Sequence, residues 1–484
     1  MSGFAQFPGC DIHARLDHPV IDADGHLIEC EFAFEDFLKQ CAGADMVERS
    51  RTWQRSVGSN RQSRGAWWGI PSGPHTSDRA MAMLPRLFRS RMDESGIDFA
   101  QIYPTRGITS LYIGDDELRQ ATCRALNLMY ADMFSGVTDR MRPAAVIPTY
   151  TPEEGVRELE FAVKELGFKA IMIGTEIRRP APEVLERAPE LARYAESTTS
   201  IAIDSPFNYD PFWQACVDLK VTPVAHTSGF GMRIHGYRNS PSNYVFNHIG
   251  GFAAAQEYFC RSLFFGGVTR RFPKLSFGML EGGVAWAQTL INDIVEHWEK
   301  RNIEVIEYNL APANLDVDLM ARLFDEYGTS YLTGSRIRES PHHALSQLGG
   351  VKNLDEFAAC GMKEVHDLKD LFVDRMYFGC EADDRMVAVA FNRRLNPVGA
   401  KLKAVFGSDI GHWDVIDAKS VLSEAYSLVE GKLLSMDDLR DLTFVNPAMM
   451  HLSMNPDYYC GTVIEDAAAR LLAERTPSAL NHVA

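Results

Sequence analysis

The chain contains no apolar run approaching the ~20 residues that a bilayer-spanning helix needs, so no membrane association is expected. Its first twenty residues, MSGFAQFPGCDIHARLDHPV, have neither the basic leader nor the apolar core of a secretion signal. The nine cysteines are scattered, form no CxxC pair and are odd in number, which argues against both a disulfide framework and a cysteine-held zinc. A reducing cytoplasm is the expected location. Basic residues are also short, 49 Lys and Arg against 65 Asp and Glu for a net charge of -16, and this disfavours a nucleic-acid partner. No GxGxxG follows the first β-rich run, and the glycine cluster HIGGF (248–252) lacks a phosphate-loop lysine, so neither dinucleotide-binding nor P-loop chemistry has support.

What the chain does have is a series of short apolar, β-branched runs, each ending in small, polar or ionisable residues. They lie at 18–26 (HPVIDADGH), 96–105, 141–150, 168–175, 221–228, 274–283, 375–381 and 403–409. Amphipathic helical stretches separate many of them. After the third run, Thr151, Pro152 and Glu154 form a helix-start signal, and Val156, Leu159, Ala162, Val163 and Leu166 supply an apolar stripe. Eight strands alternating with helices imply parallel crossovers, and eight units suggest closure into a (β/α)8 barrel; an open doubly wound sheet is the alternative. The 484 residues are expected to form one domain, lengthened by two largely helical insertions at about 30–93 and about 300–372. The first insertion, rich in Trp, Arg, Gly and Ser, reads as a lid, a binding element or an interface arm.

A barrel directs functional groups to the C-terminal ends of its strands. Those ends supply Asp22, Asp24 and His26 on the first strand and His226 on the fifth. Glu281 ends the sixth, Glu381 the seventh and Asp409 the eighth. Carboxylate oxygen and imidazole nitrogen hold Zn, Mn or Fe and leave positions open for water and substrate. Asp24 and His26 are two apart and so share one face of a strand. A D-x-H alone also fits a strand-end turn, a lone His226 fits a satisfied core histidine, and Asp409 fits a helix cap. It is their joint placement at one mouth that favours a metal site formed by Asp24, His26, His226 and Asp409.

The segments DADGH, PVAHTSG, RFPKLSFGMLEGG and FGSDIGHWD, in that order, resemble the amidohydrolase superfamily. Within it they are most similar to the amidohydrolase-related branch that includes aminocarboxymuconate-semialdehyde decarboxylase and aromatic acid decarboxylases. The resemblance runs from about Val20 to Asn446. It implies a distorted (β/α)8 barrel, a divalent metal (zinc first, manganese or iron as alternatives) and a homodimer or higher homo-oligomer. It places Asp24 and His26 as the first-strand metal pair, His226 as the fifth-strand ligand and Asp409 as the eighth-strand ligand. The chain departs from the family in two ways. Its first ligand is acidic, as in the decarboxylase group, and Glu281 stands where a sixth-strand histidine is usual. Glu281 is therefore open to three roles: general acid or base, supporting carboxylate, or further ligand.

Around this core, His248 is a candidate proton shuttle or substrate donor, or else a helix-cap histidine. His412 and Trp413 are placed to wall the site or to orient the metal carboxylate, and His412 is a candidate substrate-binding residue. Arg233, Tyr237 and Arg238 are candidate binders of an anionic substrate, since an arginine fork matches a carboxylate. The expected catalytic residues are Asp409, Glu281 and His248. The expected reaction is hydrolysis of a small organic substrate, aromatic or carboxylated, through a metal-activated water. Non-oxidative decarboxylation of an aromatic or conjugated acid uses the same ligands and is the alternative; iron-dependent oxygenation is a third reading.

Overall fold

A computed structural model describes residues 7–58, 68–226, 240, 242–311, 314–339 and 354–475. Eight strands form one parallel sheet: β1 (Ile21–Leu27), β2 (Phe99–Pro104), β3 (Met141–Val146), β4 (Ala170–Ile173), β7 (Pro223–Ala225), β8 (Phe277–Met279), β9 (Met376–Glu381) and β10 (Lys403–Gly407), in that spatial order. Seven of the eight expected runs contain one of them, and β1 runs one residue past the end of the first. The ends of the sheet meet: the Asp409 amide donates to the Asp24 carbonyl at 2.9 Å, and the His26 amide to the Ile410 carbonyl at 3.1 Å. The sheet is thus a (β/α)8 barrel rather than an open, doubly wound one. Gly407 permits this approach, because a Cβ there would lie 2.9 Å from the Cβ of Asp24.

The strands read as continuous apolar runs because helices cover the outside of the barrel and side chains fill the inside. Ala144, Ala145, Ile171, Met172, Val224, Phe277, Val405 and Phe406 are all fully buried. The helix start after β3 is realised as a capping box: the Thr151 hydroxyl accepts from the Glu154 amide at 3.3 Å, and the Glu154 carboxylate accepts from the Thr151 amide at 3.4 Å. The same carboxylate receives the fully buried Arg119 guanidinium at 2.9 and 3.2 Å, and this ties two barrel helices together.

Among the described residues, four α-helices lie between β1 and β2: Glu31–Ala42, Ala44–Gly58, Thr76–Met83 and Pro85–Ser95. A two-stranded antiparallel hairpin, β5 (Ile177–Pro180) with β6 (Glu196–Thr199), follows β4. It was not expected, because its strands are only four residues long and carry Arg, Ser and Thr instead of an apolar alternation. None of the described helices is long and apolar enough to cross a membrane.

Candidate metal centre

The C-terminal ends of β1, β7, β8 and β10 converge on one group of buried side chains. On β1 the register shifts between Asp22 and Gly25, an irregularity that re-aims side chains locally. Asp22 turns to the eighth barrel strand, where its carboxylate accepts from the Ser408 hydroxyl at 2.6 Å and the Ser408 amide at 2.9 Å. It also accepts from the Asp24 amide at 3.1 Å. Asp22 thereby braces β1 against β10 and fixes the Asp24 backbone.

Asp24 and His26 point to the centre, with His26 Nε2 3.6 Å from Asp24 Oδ1 and 3.0 Å from Asp409 Oδ1. His226 follows β7 directly, and its amide donates to the Ile173 carbonyl at 3.0 Å. Its Nε2 lies 3.7 Å from Asp24 Oδ1 and 3.1 Å from Glu281 Oε2. Gln256 fixes the ends of β7 and β8 by donating to the carbonyls of Ala225 at 3.0 Å and Leu280 at 2.8 Å. Glu281 and Asp409 both hold left-handed backbone, φ 59° and 51°, an uncommon conformation for residues with a Cβ that costs on the order of 1–3 kcal/mol. In each case the strand ends in a turn that sends the carboxylate inward.

These separations fit a shared cation. Donors each about 2.0–2.2 Å from one ion stand roughly 3.0–3.5 Å apart in octahedral or tetrahedral arrangement. Asp24, His26 and His226 have ligand atoms within 4.8 Å of one another, as do His26, Asp409 and His412. Asp24 Oδ1 and His26 Nε2 are buried without a hydrogen-bond partner, which is costly unless something else satisfies them. Charge points the same way. Asp24, Glu281 and Asp409 are raised well above the ordinary carboxyl range, first by burial and then by neighbouring carboxyls, although in Asp24 the His226 imidazole opposes that rise. Glu381 is pushed up to about 8 and Asp414 to about 9 by burial and adjacent acids. Among the described residues, no Lys or Arg forms an ion pair with any of these five. Burial lowers His26 well below its usual value and takes His412 down to about 4, so the imidazoles are neutral, the state that ligates metal. Asp24, His26, His226 and Asp409 would hold a divalent ion, with Glu281 at the edge of the set.

His412 adjoins this donor set. Its Nδ1 is 2.8 Å from Asp409 Oδ1, its Nε2 is 3.0 Å from the Thr105 hydroxyl, and its ring stacks on His26 at 3.8 Å. Thr105, at the end of β2, is a site residue that carried no motif in the sequence. Above His412 the mouth is aromatic. Trp68 meets it edge-on at 5.4 Å, and Trp413 contacts both Tyr244, at 5.9 Å, and His248, at 5.4 Å. The Trp413 indole donates to the Tyr244 hydroxyl at 3.2 Å. His248 stacks on Tyr244 at 5.4 Å and is thus part of this wall. Arg233, Tyr237 and Arg238 lie outside the described residues. The sequence did not single out Asp414, Trp68 or Tyr244, whose residue types and spacing carry no signal until the mouth is assembled.

A family model described as Amidohydrolase matches residues 21–307, more than half of the chain. The matched segment contains Asp24, His26, His226 and Glu281 but stops short of Asp409. Among solved structures, an amidohydrolase from Mycobacterium avium subsp. paratuberculosis K-10 is 16% identical, with 90% of this chain and 99% of that one covered at a TM-score of 0.53. A dihydroxybenzoic acid decarboxylase from Polaromonas sp. JS666, with bound manganese and 2-nitroresorcinol, is 16% identical over 90% of this chain and 97% of its own, TM-score 0.48. A 4-oxalomesaconate hydratase from Rhodopseudomonas palustris is 15% identical over 94% and 99%, TM-score 0.43. The first of these shares the fold; the other two are too distant to bear on the chemistry.

Proposed function

The chain belongs to the amidohydrolase family of metal-dependent enzymes, and on that premise we propose that it is a hydrolase of a small aromatic or carboxylated substrate. The observation that carries this reading is Glu281, whose carboxylate lies 3.1 Å from His226 Nε2 and so borders the donor set where a water would be activated. Asp24, His26, His226 and Asp409 would hold a divalent ion, which when bound would supply Lewis-acid polarisation and lower the pKa of water toward ~7. The mixed nitrogen and oxygen donors suit zinc, with manganese and iron as alternatives.

The protein's own groups supply the rest. Glu281 takes the proton from the attacking water and returns it to the leaving group. His412 Nδ1 lies 2.8 Å from Asp409 Oδ1 and its Nε2 shares a hydrogen bond with the Thr105 hydroxyl at 3.0 Å, contacts that hold the ring beside the carboxylate. Trp68, Trp413, Tyr244 and His248 present flat faces to the substrate and keep bulk water off the reacting carbonyl.

Those same aromatic faces favour a second reading, non-oxidative decarboxylation of an aromatic acid, in which Glu281 or His248 would protonate the ring carbon as CO2 departs. A panel of aryl esters, amides and lactones, assayed beside aromatic acids for CO2 release, separates the two. Hydrolysis that disappears in Glu281→Gln supports the first; CO2 release without hydrolysis replaces it with the second.

A further inference from the structure

At the opposite end of the barrel from the metal donors, where Lys403 opens β10 and Met376 opens β9, there is a cavity of about 410 Å3. Five basic side chains line it: Lys369, Arg393, Lys401, Lys403 and Arg475. Two acidic side chains, Asp374 and Asp441, face them. In a chain of net charge -16, this is a local inversion of sign, assembled from segments far apart in sequence.

The internal pairing is incomplete. Lys369 reaches Asp374 at 2.7 Å, and Lys401 bridges Asp438 and Asp441 at 2.9 and 3.0 Å, with Arg475 4.0 Å from Asp441. Arg393 and Lys403 form no ion pair among the described residues. Arg393 gives one bond, to the Gly399 carbonyl at 2.8 Å, out of the five its guanidinium has to offer. Lys403 donates to the Asp374 carbonyl at 2.9 Å and toward the Tyr377 hydroxyl at 3.4 Å, leaving a third donor unused. Partial burial lowers its ammonium to about 8, and what faces the charge is a carbonyl and the Tyr377 ring, 4.7 Å from Nζ, with no carboxylate paired to it among the described residues. Between them the turn at Val398 holds left-handed backbone, φ 53°, which is rare for a β-branched residue. Lys369 and Arg475 read as solvated surface cations; Lys403 is half-buried and is faced by one carbonyl and the Tyr377 ring instead of an anion.

We propose that this cavity is a second ligand site, which takes a small phosphate-bearing anion with Arg393 and Lys403 as its principal contacts. Phosphate is favoured over a monocarboxylate because the lining carries three more positive than negative side chains. An arginine fork with a lysine point charge also matches phosphate oxygens. The volume is within the range of small-molecule sites. The site is separate from the metal centre, so it stands or falls independently of the reaction assigned there.

Calorimetric titration of the full-length, metal-loaded protein with inorganic phosphate, then pyrophosphate, then acetate tests the proposal. One saturable phosphate or pyrophosphate site is expected, weakened by added salt and weakened at least about tenfold in both Arg393→Gln and Lys403→Met. At pH 8, binding should draw a proton onto Lys403, read from the dependence of the heat on buffer ionisation, and this uptake should vanish in Lys403→Met. Arg393 is exposed, so its variant keeps the test valid if Lys403→Met fails to fold. Three results overturn the site: no saturable binding, equal affinity in Arg393→Gln and wild type (which places the anion at the metal), or acetate binding as tightly as phosphate.

Discussion

The imidazole of His412 stacks on that of His26 with centroids 3.8 Å apart and planes within 27°, while its two nitrogens reach Asp409 and Thr105. One residue thus touches two proposed ligands from opposite ends of the chain, His26 by ring contact and Asp409 by the 2.8 Å approach of its Nδ1 to the carboxylate. Partners of this kind typically tune a metal site by about 10- to 100-fold.

Thr105→Val should therefore weaken metal affinity by roughly tenfold or more without lowering the thermal midpoint of the metal-free protein. Thr105→Ser, which keeps the hydroxyl, should restore it. Competition with a chromophoric chelator measures the affinity. Unchanged affinity in Thr105→Val would remove the Thr105–His412–Asp409 chain from the account.

Asp409→Asn keeps the shape of the side chain but removes a charge from the donor set. Turnover should fall by at least on the order of 10²-fold, beyond the loss expected from an outer partner, and the metal content of the purified protein should fall with it. Folding should be retained, because the closing Asp409 amide to Asp24 carbonyl bond belongs to the backbone. Wild-type rates in this variant would be fatal to the eighth-strand assignment.

Metal removal leaves the carboxyls of the site facing one another. Burial takes Asp22 to about 6, and burial with neighbouring acids takes Glu381 to about 8 and Asp414 to about 9. A carboxyl whose pKa is higher folded than unfolded stabilises the fold while protonated, and that contribution is lost as pH rises through the folded value. The metal-free protein should therefore lose thermal stability progressively from about pH 4, the unfolded carboxyl value, to about pH 9, and a divalent ion should restore it at the upper end. Melting curves with and without chelator check this; a flat metal-free profile contradicts it.

Trp413→Ala opens the aromatic wall without touching the donor set. With an aromatic substrate KM should rise about tenfold and kcat change little, because a lost ring contact is worth roughly 0.5–1.5 kcal/mol beyond its buried area. Trp413→Phe should recover most of the loss. A kcat effect larger than the KM effect would instead place Trp413 in the chemistry.

Buried Arg119 ties Glu154 to the preceding helix. Arg119→Met strands the Glu154 carboxylate and should cost about 3–5 kcal/mol, measured by denaturant unfolding. A loss below 1 kcal/mol would mean that the pair behaves as a surface contact.

The barrel was legible in the sequence because burial on both faces leaves a repeated mark, eight short apolar runs with helical stripes between them. The polar hairpin after β4 left no such mark. Asp24 and His26 were legible as a pair because a strand's two-residue period puts them on one face, and His226, Glu281 and Asp409 because each ends an apolar run. The sequence by itself determined which residue types arrive at the mouth. Only the tertiary structure decided that β10 returns to β1, that Glu281 lies against His226, and that Thr105 and Asp409 meet through His412. Those relationships depend on ring closure between segments nearly four hundred residues apart and on left-handed turns at Glu281 and Asp409. Local periodicity encodes neither.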